Sequence, residues 1–153
     1  MTGALFEVTF MAAAPFWLLM ILAPRWRPTA RVASSPLTVL PLLLLWAVMA
    51  APVLPELWAA VSDPDIDTFR ELTASADGAG AVWAQIIAWD LLLGQWMFLE
   101  SRRLGLSPLV TGPLLVLTIL LSPIGLVVLL VIRGVRGVRK SPSRPAPPTG
   151  EDV

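Results

Sequence analysis

The sequence contains no cysteine, no histidine, no tyrosine and no asparagine. Without cysteine there is no disulfide, no thiol nucleophile and no thiolate ligand. Without histidine as well, the usual zinc and haem sites are excluded, and any metal would have to rest on oxygen ligands. No metal and no cofactor is therefore expected. Charge is scarce too, at 14% of 153 residues, with eleven basic side chains balancing eleven acidic ones. No excess of positive charge is present to attract nucleic acid, so none is expected as a partner. One Lys against ten Arg points to a GC-rich, bacterial coding sequence.

What fills the space is apolar. The chain is 56% hydrophobic with a mean hydropathy of +0.76, well above an average soluble domain. Four long apolar runs recur, Ala4–Ala23, Pro36–Leu54, Gly80–Leu99 and Pro108–Ile132. Each is long enough to span a bilayer. The expectation is an all-α integral membrane protein, a four-helix bundle over residues 1–133, with a basic, Pro-rich, disordered tail over 134–153. Its place would be the bacterial cytoplasmic membrane, crossed several times, with both termini on one side. The first run is expected to be retained, because Arg25, Arg27 and Arg31 follow it and no basic stretch precedes it.

Proline and serine mark the joints. Ser35-Pro36 and Ser107-Pro108 read as helix starts, Ser as cap and Pro at the first helical position. Pro15, Pro41, Pro113 and Pro123 should loosen the spans that contain them. Pro52 and Pro55 should end the second span, leaving Glu56 and Trp58 at the interface. Between spans two and three, Asp63-Pro64 reads as a cap, and Ile66, Phe69 and Leu72 recur at helical spacing, so a short interfacial amphipathic helix is expected. A calcium loop on Asp63, Asp65 and Asp67 fails, because Thr68 stands where such a loop needs glycine and Ala74 where it needs glutamate. With four spans, five basic residues fall on one side and six on the other, which leaves the orientation open.

Asp90 stands halfway along Gly80–Leu99 (GAVWAQIIAWDLLLGQWMFL). A carboxyl group at that depth costs roughly 2.5–3.5 kcal/mol on insertion scales, so it should face the interior, protonated or paired, and it is a functional residue by default. On an ideal helix Trp83, Ile86, Gly94 and Met97 lie within about 40° of Asp90, while Gln85, Trp89, Leu92 and Trp96 form a stripe roughly 100–160° away. Gly94, one turn on, leaves room for a neighbouring helix or ligand. In the fourth run Thr111, Leu115, Thr118, Ser122 and Gly125 share a face whose hydroxyls either bond their own helix or steady Asp90. Trp17, Trp26, Trp46, Trp58 and Trp83 read as interfacial anchors, and Trp89 and Trp96 as deeper aromatics able to line an apolar groove.

Trp83-Ala-Gln-Ile-Ile-Ala-Trp89-Asp90-Leu-Leu-Leu-Gly94-Gln-Trp96 resembles the signature of the neoxanthin-synthase-like (abscisic-acid-deficient-four-like) family of small four-span membrane proteins. Pro15-Phe-Trp17 with Pro24-Arg25-Trp26, Arg102-Arg103-Leu-Gly105, and Pro113-Leu-Leu-Val-Leu-Thr118 with Ser122-Pro123-Ile-Gly125 are similar to it as well. The resemblance covers Phe6 to Arg133. It implies a connection with carotenoids, since plant members are required for an epoxide-to-allene isomerisation. Two positions depart from the family pattern: Gln85 replaces a histidine and Ser122 a glycine. Since Gln cannot exchange protons, a His–Asp acid–base pair is not available.

The expected function is therefore carotenoid or isoprenoid metabolism, with Asp90 as general acid in isomerisation-type chemistry. Trp83, Gln85, Trp89, Gly94, Trp96, Thr118 and Ser122 would hold the polyene. The alternative is a non-catalytic scaffold or accessory subunit that binds lipid or a larger membrane enzyme. The partners implied are membrane lipids, a carotenoid or other isoprenoid, and another membrane enzyme.

Overall fold

A computed structural model describes residues 2–139, and among these the chain is helical throughout, without strands. Eight α-helices follow in order: α1 Thr2–Leu22, α2 Arg27–Ala33, α3 Leu40–Ala50, α4 Leu54–Ser62, α5 Ile66–Ala74, α6 Ala76–Arg103, α7 Pro108–Leu120 and α8 Ser122–Arg139. Short 3₁₀ turns, Pro36–Val39 and Ala51–Val53, lead into α3 and join α3 to α4. Three stretches are long and apolar enough to cross a membrane: α1, the run Pro36–Ser62 and α6.

The second of these is longer than the sequence predicts. Pro52 and Pro55 do not end it. Each sits at the first or second position of a new helical segment, where its missing N–H is not needed, so the chain bends and continues to Ser62. The interfacial helix exists as α5, with a different cap. Asp65, not Asp63, accepts the N–H groups of Asp67 at 2.9 Å and Thr68 at 3.2 Å. Leu72 is buried, while Ile66 and Phe69 stay exposed.

The central helix is α6. Ser75 caps its start through the N–H of Gly78, and Asp77 in the first turn accepts from the Thr2 hydroxyl. Its end carries Arg102 and Arg103, matching the helix dipole at both termini. It stops in a Schellman turn, with Leu106 N–H on the Ser101 carbonyl, Gly105 N–H on the Arg102 carbonyl, and Gly105 at φ 65°. Helix α1 runs parallel to α6, with Phe6 stacked on Trp83 and Trp17 lying over Gly94. A Cβ at position 94 would come within 2.1 Å of the Trp17 ring, so glycine is what lets the two helices approach. Trp17 is accordingly a core residue, 4% exposed, and not an interfacial anchor. The Pro36–Ser62 run is antiparallel to α6, with Thr38 beside Gln95 and Met49 beside Gly80.

The largest departure is the fourth expected span. Pro108–Ile132 is not one helix. Pro123 has no N–H and its ring meets the carbonyl one turn back, which disfavours a continuing helix; Pro15 and Pro113 stay inside α1 and α7, but at Pro123 the chain breaks. Helix α7 therefore ends with the Leu121 N–H on the Leu117 carbonyl at 2.7 Å, and Leu121 itself turns out of helical geometry at φ −148° and ψ 70°. The Leu121 carbonyl then accepts from Ile124 and Gly125, opening α8 in a new direction. The two legs fold back on each other. A Cβ on Gly125 would meet Thr118 Oγ1 at 2.2 Å and its Cα at 3.0 Å, so only glycine fits at the crossing.

The depth of this hairpin follows from its contacts with α6. Its turn lies level with Asp90, through Ser122, whereas Arg133 reaches Glu100 and Arg136 reaches the Leu104 carbonyl. Both open ends therefore sit at the C-terminal end of α6. At 13 residues α7 is about 20 Å long, short of the roughly 30 Å of a hydrocarbon core. Among the described residues three stretches are long and apolar enough to cross a membrane, and the fourth apolar run is a hairpin of two helices in place of the single helix expected. Thr2 and Arg136 consequently lie at opposite ends of the bundle. Helix α8 extends to Arg139, past the boundary expected at 133, and the expected disordered tail from 140 to 153 lies outside the described residues.

Candidate functional site

Asp90 is half-buried where α6 meets the hairpin turn. The Ser122 hydroxyl lies 2.6 Å from Asp90 Oδ1, to which it donates, and 3.1 Å from the Thr118 carbonyl. Thr118 is fully buried, donates to the Leu114 carbonyl at 2.9 Å, and lies 3.4 Å from Met97 Sδ. Of the two roles open to the small hydroxyl face, Thr118 takes one, bonding its own helix, and Ser122 takes the other. Asp90 Oδ2 has no hydrogen-bond partner among the described residues. The site is thus a carboxyl group held by one oxygen from the hairpin turn, with its second oxygen available.

The other sequence-predicted residues do not converge on that carboxyl. Trp83 and Gly94 share its face of α6 but are engaged by α1, through Phe6 and Trp17 respectively. Trp89, 67% exposed, and Trp96, 37% exposed, point out of the bundle. Gln85 turns to a third place, an open groove of about 540 Å³ between α3, α4 and α6. Trp46, Leu54, Leu57, Trp58 and Val61 form its wall, and Gln85 supplies the polar group. A smaller space of about 240 Å³ continues past Gln85 under α5 towards Phe69 and Leu72. The indole N–H groups of Trp46 and Trp83 are buried without a partner among the described residues.

Two polar contacts escaped the sequence reading. Gln95 donates its amide to the Thr38 hydroxyl at 2.5 Å, tying α6 to the second span. Glu100 is buried between Arg133 at 3.3 Å and Arg103 at 3.7 Å. The Arg103 pairing is visible as an i, i+3 spacing at a helix end, but the Arg133 pairing needs the hairpin. Among the described residues no three acidic side chains come together as a metal site. Asp65 is occupied as a helix cap, and Asp67 pairs with Arg70 at 3.2 Å.

Comparison with known proteins gives one match. Residues 4–129 fit the sequence pattern of the ABA4-like family, described as ABA DEFICIENT 4-like. No curated protein and no solved structure matches the chain.

Proposed function

The chain belongs to the ABA4-like family, and from that premise we propose that it is a membrane protein of carotenoid or related isoprenoid metabolism in which Asp90 is the general acid. The single observation that carries this reading is the geometry of Asp90. A carboxyl group midway along a spanning helix accepts one hydrogen bond, from Ser122, and keeps its other oxygen unpartnered. Ser122 would fix the orientation of the group and leave Oδ2 to carry the proton. A polyene epoxide could take that proton on its oxygen as the C–O bond opens. The resulting carboxylate could then remove a proton from the adjacent polyene carbon. The product is an isomer of the substrate, the acid returns to its starting state, and no oxidant or reductant is consumed.

One observation favours the second reading, a non-catalytic accessory subunit. Among the described residues Asp90 has no titratable group within hydrogen-bonding distance, and its partner is a hydroxyl. Pigment analysis decides between the two. Cells that make epoxy-carotenoids would be given the wild-type chain, Asp90→Asn or Ser122→Ala, and their pigments extracted. General acid catalysis is typically worth 10²–10⁴-fold, so Asp90→Asn should accumulate at normal levels yet lose conversion by about that factor. Full conversion by Asp90→Asn would remove the catalytic assignment and leave the accessory role.

A further inference from the structure

At the end of the bundle opposite α5, a cavity of about 400 Å³ opens between the α1–α2 turn, the end of α6 and the start of α7. Pro24, Arg25, Phe98, Arg102, Ser107 and Thr111 line it. Neither arginine is paired with an acid among the described residues. Glu100, the acid at this end, is taken by Arg133 and Arg103. Arg102 is held in place, donating to the Pro24 carbonyl at 2.9 Å and lying 5.7 Å over the Phe98 ring. A guanidinium has five donors, so most of them remain available for an anion. The N-terminal end of α7, with Ser107 as its first flanking residue, adds the positive end of a helix dipole.

Thr111 supplies an independent sign of a missing partner. It is 4% exposed, yet its hydroxyl bonds no protein group among the described residues. The other buried threonines, Thr9, Thr29 and Thr118, each donate to a backbone carbonyl. A partnerless hydroxyl on a buried residue that lines the cavity, beside two arginines without an acid among the described residues, fits an anionic oxygen.

The surface next to the cavity is apolar. On the outer face of α7, away from Thr111, a groove of about 590 Å³ runs between α1 and α7, walled by Ile21 one turn before Arg25 and by Pro113, Val116 and Leu120. Gly112 forms part of its floor, with open space where a side chain would be. A cationic pocket at the helix ends, with a separate apolar groove beside it on the outer face of α7, has the chemistry of a headgroup joined to an acyl chain.

We propose that this composite site binds an anionic phospholipid, with its phosphate between Arg25 and Arg102 and one acyl chain in the α1–α7 groove. The assignment does not depend on the reaction proposed for Asp90. Charge-assisted hydrogen bonds are worth about 1.5–3 kcal/mol each, so losing one should weaken binding at least about tenfold.

The test is thermal unfolding of the full-length protein in neutral detergent, titrated with phosphatidylglycerol, phosphatidylcholine or inorganic phosphate. Phosphatidylglycerol should raise the melting temperature saturably, and inorganic phosphate should not. Arg25→Gln, whose side chain makes no bond that folding would lose, should shift the midpoint of that titration about tenfold or more. Gly112→Leu, which fills the open floor of the groove, should do the same without touching the charges. Unchanged phosphatidylglycerol midpoints in both variants would overturn the site. Equal stabilisation by phosphatidylcholine would overturn the requirement for net negative charge. Stabilisation by inorganic phosphate that Arg25→Gln removes and Gly112→Leu leaves would assign the pocket to a free anion and overturn the lipid.

Discussion

Asp90 and Gly94 occupy one face of one helix and are held in opposite ways, one by a hydrogen bond and the other by a ring. Hydrogen bonds inside membrane bundles average about 0.6 kcal/mol and reach about 1.7, so Ser122→Ala should cost little stability. Its effect should appear instead as reduced conversion, because the carboxyl loses its fixed orientation; equal stability and equal turnover would show that orientation is irrelevant. At position 94 the penalty is steric. A methyl group 2.1 Å from the Trp17 ring must push α1 away from α6. Gly94→Ala should therefore destabilise by about 1–3 kcal/mol, the usual cost of overpacking, read as a lowered melting temperature in detergent. A companion Trp17→Phe substitution should recover part of that loss. Asp90 was legible in the sequence because an acid amid apolar residues at mid-span has few structural excuses. Glu100 was not, since its partner Arg133 lies 33 positions away and is brought near only by the turn at Leu121.

Helix starts proved the easiest elements to read and the hairpin the hardest. Ser35-Pro36 and Ser107-Pro108 begin helical segments with Pro in the first turn as predicted, although neither Ser side chain makes the expected cap bond. The cap of α5 is displaced by two residues because Asp63-Pro64-Asp65 offers two acids, and only Asp65 stands just before the helical turn. Asp65→Ala should cost α5 about 1 kcal/mol, seen as faster amide exchange at Asp67 and Thr68, with exchange in α6 unchanged. Hydropathy cannot distinguish a 25-residue span from two half-depth legs, because both are apolar along their whole length. Ser122-Pro123-Ile124-Gly125 held the missing information: a residue that ends one helix, followed by one that permits close packing of the next. Gly125→Val should pry the legs apart. The expected result is a loss of about 1–3 kcal/mol together with solvent or detergent access to Thr118, measured by labelling a Thr118→Cys reporter in both backgrounds.

Across the whole molecule, folding the fourth apolar run back on itself sorts the charges. Arg25, Arg27, Arg31, Arg102, Arg103, Arg133 and Arg136 now share one end of the bundle, while Arg70 stands at the other among Asp63, Asp65, Asp67, Glu71 and Asp77. The five-to-six balance that held for four crossings becomes a strong bias. Applied to this arrangement, the positive-inside rule predicts that the arginine-rich end would face the cytoplasm, with the start of α1 and the α5 segment on the other side. Reporter fusions should place the N-terminus outside and Val153 inside; fusions that report the same compartment for both would restore a fourth crossing. The hairpin also dictates an order of assembly. Its legs find their partners, Asp90, Glu100 and the Leu104 carbonyl, on a helix made before them. Folded back as it is, the hairpin would settle from one side onto a core of three helices formed before it. A chain halted after Ser107 should therefore still insert, and the hairpin, supplied as a separate segment on the cytoplasmic face, should be able to dock and complete it.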